Sequence, residues 1–187
     1  MSTYQTPGLI LKITDRGEAD QLFSIFTLKV GKVCALGRGT KKIKSKLNGQ
    51  LQIFAVLDLM VASGKNYDHL AAAEITKNFS GLKNDLRKIV LAAFGLEAVD
   101  KLTKLGQPEP EIYLLLEKYL AFINQSKLET KSFLAVKQRF IIRLLEISGL
   151  APGPDIAADQ KRLDNFLNQH LDFPLNVDKF LVKMKAG

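Results

Sequence analysis

The sequence predicts an α+β protein in which a small five-stranded barrel is followed by an all-α helical bundle, and three observations carry that reading. Hydrophobic periodicity changes from two to about 3.6 residues near Ser80. Before that point, apolar runs rich in β-branched and aromatic residues alternate with Gly-containing polar turns. Among those runs sits one unusual loop, residues 36 to 49, Leu-Gly-Arg-Gly-Thr-Lys-Lys-Ile-Lys-Ser-Lys-Leu-Asn-Gly, with five cations.

Gly8 to Ile13 is a short apolar run, and Asp15 to Asp20 is a polar turn around Gly17. Gln21 to Lys29 alternates Phe23, Ile25 and Thr27 against Leu22, Ser24 and Phe26, the mark of a second strand. Val30-Gly31 turns the chain, and Lys32 to Leu36 is a third strand. After the basic loop, Leu51, Ile53, Ala55, Leu57, Leu59 and Val61 hold a period of two over a long fourth strand. Ser63 to Asn66 reads as a turn and His69 to Lys77 as the fifth strand. Five short strands with one conspicuous loop suit a Greek-key barrel of the oligonucleotide-binding (OB) type. An SH3-like barrel is the alternative, because pattern counting does not separate two small five-stranded barrels. Residues 1–79 are assigned to the barrel and 80–187 to the helices.

In the second part, Leu86, Ile89, Val90, Ala93 and Phe94 mark a helix expected to end near Gly106. Pro108 and Pro110 interrupt it. Ile112, Leu115, Leu116, Tyr119, Leu120 and Ile123 mark a second helix, and Phe133, Val136, Phe140, Ile141, Leu144 and Leu145 a third that stops at Gly149. Asp155 is placed to cap a fourth helix carrying Leu163, Phe166, Leu167 and Leu171, and Asn176 a short last one. Each apolar stripe is wide enough to be buried against its neighbours.

Charge is concentrated rather than spread. Lys29 to Leu57 holds seven basic residues and no acid, so the remaining 20 basic residues nearly balance 19 acidic ones and the net charge of +8 comes almost wholly from one segment. Such a patch is the electrostatic footprint of a polyanion partner. Arg38, Lys41, Lys42, Lys44 and Lys46, with Lys32 nearby, are the candidate phosphate contacts. Gly37 and Gly39 bracket Arg38 and let the backbone come close to a phosphate. The loop is neither a P-loop, which needs Gly-Lys-Ser/Thr opening a helix, nor a dinucleotide fingerprint, which needs a third Gly where Lys42 stands.

Cys34 is the single cysteine, which precludes an internal disulfide and leaves no cluster for structural zinc. Met-Ser-Thr-Tyr-Gln lacks a basic signal-peptide start and Asp58 interrupts the longest apolar stretch, so the expectation is a cytoplasmic protein with no membrane span. Catalysis would have to be built from Asp15, Glu18, Asp20, Asp58, His69 and His170. Glu18 and Asp20 lie two apart in a turn without a nucleophile, and neither His has a ligand partner at metal spacing. The expectation is no enzyme, no cofactor and no metal.

Three ordered stretches resemble one family, the RecO recombination mediators of bacterial DNA repair. The first is Gly17-Glu18-Ala19-Asp20 with Phe26-Thr27 and Gly31-Lys32. The second is Arg38-Gly39-Thr40-Lys41-Lys42-Ile43-Lys44-Ser45-Lys46 followed by Leu51-Gln52-Ile53-Phe54, similar to the family's basic Lys-Gly-x-Arg loop and Leu-Gln-Pro-Phe strand opening. The third is Arg139-Phe140 with Leu144-Leu145 and Gly149-Leu150-Ala151-Pro152, similar to the family's Arg-Phe, Leu-Leu and Gly-Tyr-x-Pro series.

Departures are visible too. Lysines stand at most loop positions where the family often has arginine, which keeps charge but loses the bidentate fork. Leu150 stands for the usual Tyr, and Ala151 to Ala158 carries no four-cysteine zinc module, so the resemblance implies a minimal, metal-free member.

The resemblance implies a DNA repair and recombination mediator that binds single- and double-stranded DNA, anneals complementary strands, and helps load RecA together with RecR at the nucleoid. It also implies a docking place for the acidic C-terminal tail of single-stranded-DNA-binding protein, for which Arg139, Phe140 and Arg143 on the third helix are the candidates. A general RNA- or DNA-binding barrel without mediator activity is the alternative.

Overall fold

The computed structural model describes residues 2–43, 45, 47–171 and 175. Strands β1 (Thr3–Arg16), β2 (Asp20–Thr27), β3 (Gly31–Gly37), β4 (Ala55–Ala62) and β5 (Asp68–Asn78) close a barrel in the order β1-β2-β3-β5-β4. With β5 inserted between β3 and β4, this is the OB-type Greek key, and the SH3-like alternative is set aside. β1 makes closure possible because it serves two neighbours. Thr3 to Leu9 pair with β4, Gly8 to Arg16 pair with β2, and a register shift between Ile10 and Lys12 bends the strand between them. Only its middle was expected from the sequence, because its polar ends lie on exposed surface and carry no apolar signal.

The odd-numbered residues of β2 and β3 fill the barrel. Phe23, Ile25, Val33 and Ala35 meet Leu57, Leu59 and Val61 in its core. The even-numbered Leu22, Ser24, Cys34 and Leu36 therefore face outward, half-buried. The fourth strand is shorter than its pattern suggested. It begins at Ala55, because Phe54 takes a left-handed φ of 66°. Leu51 stays in the core from the preceding loop, so a buried loop residue extended the strand's apparent period.

The chain forms two compact units, Met1–Phe79 with Thr103–Tyr113, and Ser80–Leu102 with Leu114–Gly187. The returning segment seats on the edge of β3. Gly106 donates its N–H to the Lys32 carbonyl at 2.8 Å, and Lys32 and Leu105 form a parallel bridge. Gly31, at φ 75°, passes so close to Gln107 that a Cβ there would lie 1.9 Å from its carbonyl oxygen. Tyr113 packs on Phe26 with ring centroids 6.4 Å apart, and both rings are buried.

The helical unit opens with a 3-10 turn, Ser80–Asn84, and α1 (Leu86–Leu102). The first helix thus stops short of Gly106, whose left-handed φ of 69° serves the loop on β3 and not a helix end. Helix α2 (Pro110–Gln125) starts on Pro110, which lacks an N–H exactly where a helix has no use for one. Its first turn, through Tyr113, belongs to the barrel unit. Helix α3 (Thr130–Ile147) ends in a Schellman motif, with the Leu150 N–H on the Leu145 carbonyl at 2.8 Å and the Gly149 N–H on that of Glu146 at 3.1 Å.

The expected fourth helix is two. A short α4 (Pro154–Ala157) precedes α5 (Gln160–Gln169), whose cap is Asp159, accepting the Arg162 N–H at 2.9 Å, rather than Asp155. The helix expected from Asn176 lies outside the described residues. Among those described, no helix is long and apolar enough to cross a membrane.

Candidate nucleic-acid interface

The basic loop begins as a pinned turn. Asp20 at the start of β2 accepts the Gly39 N–H at 2.7 Å, and the Lys41 N–H donates to the Ala19 carbonyl at 3.0 Å. Thr40 is buried, its hydroxyl 3.1 Å from Gln21 Oε1 and 3.2 Å from the Gly37 carbonyl. Gly39 supplies the left-handed φ of 64° that this turn requires. Asp20, an acid within a cationic region, is thus consumed in holding the loop's backbone.

The pinning displays Arg38 and Lys42 as exposed side chains. Lys41 is partly engaged, since its ammonium lies 2.9 Å from Asp15 Oδ2. Hydrogen bonds from Lys41 and then Gln21 hold the Asp15 carboxyl below the usual carboxylate range. Ile43, next along the chain, is 97% exposed. Lys44 and Lys46 lie outside the described residues.

Lys32 is not brought to this group. It sits opposite Phe26 at the far end of β3, six residues from Arg38 and so roughly 20 Å away along the strand. There it opposes the burial that pushes the Glu109 carboxyl up.

Two residues beside the loop escaped the sequence reading. Arg16 pairs in register with Asp20, and its guanidinium carbon lies 4.8 Å from the ring centroid of Tyr67 in the β4–β5 turn. The contact of Arg16 with Tyr67 depends on long-range register, which local pattern does not report.

In the helical unit, a groove of about 320 Å³ lies between α2 and α3, lined by Tyr119, Phe122, Val136, Arg139, Phe140 and Arg143 among others. The three residues named from the third helix therefore share one concavity. Their parts differ from expectation. Phe140 is buried, stacked on Tyr119 at 4.0 Å, so it forms the floor, whereas Phe122, 57% exposed, supplies an apolar wall that had not been singled out.

Arg143 is 3.0 Å from Glu146 in an exposed ion pair. Arg139 is exposed. Lys137 belongs to the interior and not to a solvated face. It is 3% exposed, 3.0 Å from Asp164 Oδ1 and 4.7 Å from the centre of the Phe94 ring.

Asp58 receives a hydrogen bond from Gln5, and His170 places Nδ1 2.8 Å from the Phe166 carbonyl. Among the described residues, no three His, Cys, Asp or Glu side chains gather closely enough to hold a metal ion.

A closed OB-type barrel with a cationic loop braced on its β1–β2 turn, continued by a helical bundle, puts the chain in the class of OB-barrel proteins with a helical companion unit. Residues 1–79 match the family model "Recombination protein O N terminal" and residues 83–155 the model "Recombination protein O C terminal". The chain belongs to the RecO family.

It is 36% identical over 150 residues to the DNA repair protein RecO of Gloeothece citriformis (strain PCC 7424), covering 80% of this chain and 53% of that protein. To the protein of the same name from Acaryochloris marina (strain MBIC 11017) it is 33% identical over 185 residues, 99% of this chain and 60% of the other. For that of Alkaliphilus metalliredigens (strain QYMF) the figures are 31% over 148 residues, 79% and 59%. The chain thus spans little more than half the length of these relatives.

Proposed function

We propose that the chain works in DNA repair and recombination as a non-catalytic mediator, binding single- and double-stranded DNA, annealing complementary strands and assisting RecA loading with RecR in the cytoplasm, at the nucleoid. The observation that carries this reading is the pinned loop. A turn whose backbone is fixed by Asp20, Thr40 and the Ala19 carbonyl presents Arg38 and Lys42 without first having to order them. Phosphate contacts of this kind supply affinity and register but no sequence preference, which suits a protein acting on any strand. Family membership and the relatives' shared description as DNA repair proteins support the same reading.

The test is annealing of complementary strands coated with single-stranded-DNA-binding protein. Acceleration over the uncatalysed rate is expected. Binding of DNA and RNA alike without acceleration would instead favour a general nucleic-acid-binding barrel.

The groove between α2 and α3 is the proposed seat of the acidic tail of single-stranded-DNA-binding protein. Arg139 has the planar fork for a terminal carboxylate, and Phe122 and Val136 the apolar surface for the adjoining side chain. Arg139→Ala is expected to weaken a fluorescent tail peptide by about 1.5 to 3 kcal/mol, the range for a charged hydrogen bond, with bare-DNA affinity almost unchanged. Equal peptide affinity for both proteins would remove the groove from this role.

A further inference from the structure

We propose that Tyr67, with Arg16 laid across it, is a base-stacking station for single-stranded DNA on the outer face of the barrel; the inference rests on the DNA-binding reading above and adds a place for the bases. Tyr67 is held by its turn. Asp68 accepts the Gly64 N–H at 3.3 Å and the Tyr4 hydroxyl at 3.1 Å, which ties the β4–β5 turn to β1. Arg16, at the end of β1, sets its guanidinium carbon over the half-exposed Tyr67 ring, 4.8 Å from the centroid, and donates to the ring hydroxyl at 3.2 Å. A guanidinium over an aromatic ring joins a cation to a π-face, and every base has a π-face that can stack there.

The sheet around this pair fits one strand. Thr14 is paired with Leu22, Leu22 with Leu36, and Leu36 with His69, so a row crosses four strands on the outward face, roughly 14 Å wide at ordinary strand spacing. Its two leucines and the histidine are half-buried, a shallow apolar shelf suited to bases. Cations flank the shelf. Arg16 pairs in register with Asp20, which grips Gly39 beside Arg38, and Lys12 lies in the next row opposite Ser24.

Of the nearby acids, Asp20 and Asp68 are spent on backbone N–H groups, Asp15 is paired with Lys41, and Glu18 is exposed at the tip of the β1–β2 turn. Arg16, Lys12 and the loop cations are the groups left for phosphates, and the shelf and ring favour unpaired bases over a duplex, whose bases are not free to stack on a side chain.

The chain contains no tryptophan, so Tyr67→Trp places a sole reporter at the station. Titration with an oligothymidine of about 16 nucleotides, the upper range for one such barrel, is expected to quench its emission as a base stacks. Unchanged emission at saturation, followed in parallel by anisotropy of a labelled oligomer, would overturn the station. In the unlabelled protein, Tyr67→Ala is expected to weaken the oligothymidine about 5- to 100-fold at fixed salt. Tyr67→Phe should stay near wild type, and neither variant should alter the salt slope or the affinity for duplex of equal length.

Wild-type affinity for Tyr67→Ala, with the wild-type protein binding normally, would sink the station and leave the DNA-binding reading standing. A wild-type protein that bound no single strand would refute both.

Discussion

Changing Lys41, Lys42, Lys44 and Lys46 together to alanine is expected to flatten the dependence of log affinity on log salt, for single-stranded DNA, by up to about three. Each phosphate neutralised on a single strand contributes a slope of about −0.7 through counterion release, so four contacts give that limit. The loss in affinity should be greatest at low salt. Lys41 already lies against Asp15, so Lys41→Ala alone should alter the slope less than Lys42→Ala. Folding should be spared, because the turn is held by backbone groups, Asp20 and Thr40 and not by lysine side chains. A quadruple variant with parental affinity and slope would move the binding surface elsewhere.

Gly31→Ala is expected to destabilise the barrel by roughly 2 to 4 kcal/mol, among the larger effects a single methyl can have. Two terms add. A non-glycine residue is strained at φ 75°, and its Cβ would stand 1.9 Å from the Gln107 carbonyl oxygen, so the returning segment must shift. Gly17 is the control. It has φ 70° but open space around its missing Cβ, so Gly17→Ala should show the backbone term alone, about 1 kcal/mol. Urea midpoints compare the two variants at equal slope. Equal shifts would show that Gln107 does not press on Gly31.

The barrel was largely legible in the sequence because Phe23, Ile25, Val33, Ala35, Leu57, Leu59 and Val61 repeat at the period of a strand and all reach one core. The ends of β1 were not, since Thr3 and Thr14 to Arg16 are exposed and leave no apolar trace. Leu51 misled for the converse reason, being buried without being in a strand. The place of Lys137 was not legible either, because one sequence does not reveal that Asp164 and the Phe94 ring will meet it in the interior. The loop's charge was plain, but its bracing was hidden, since Asp20 looks like an ordinary turn acid until register brings it to Gly39. Arg16 and Tyr67, about fifty positions apart, carry no local signal at all.

The return of Thr103–Tyr113 to the barrel bears on the order in which the nascent chain can fold. Proteins emerge from the ribosome N-terminus first, and a domain ordinarily sets once its last strand is out. Here the fifth strand ends at Asn78, yet the Lys32 carbonyl awaits Gly106 and the Phe26 ring awaits Tyr113. The whole of α1 must be synthesised in between. For that interval the growing chain carries a stretch of β3 around Lys32 that β5 does not cover and one bare aromatic, the kind of surface on which another nascent chain can pair. A fragment cut after Phe79 would be left in that condition permanently.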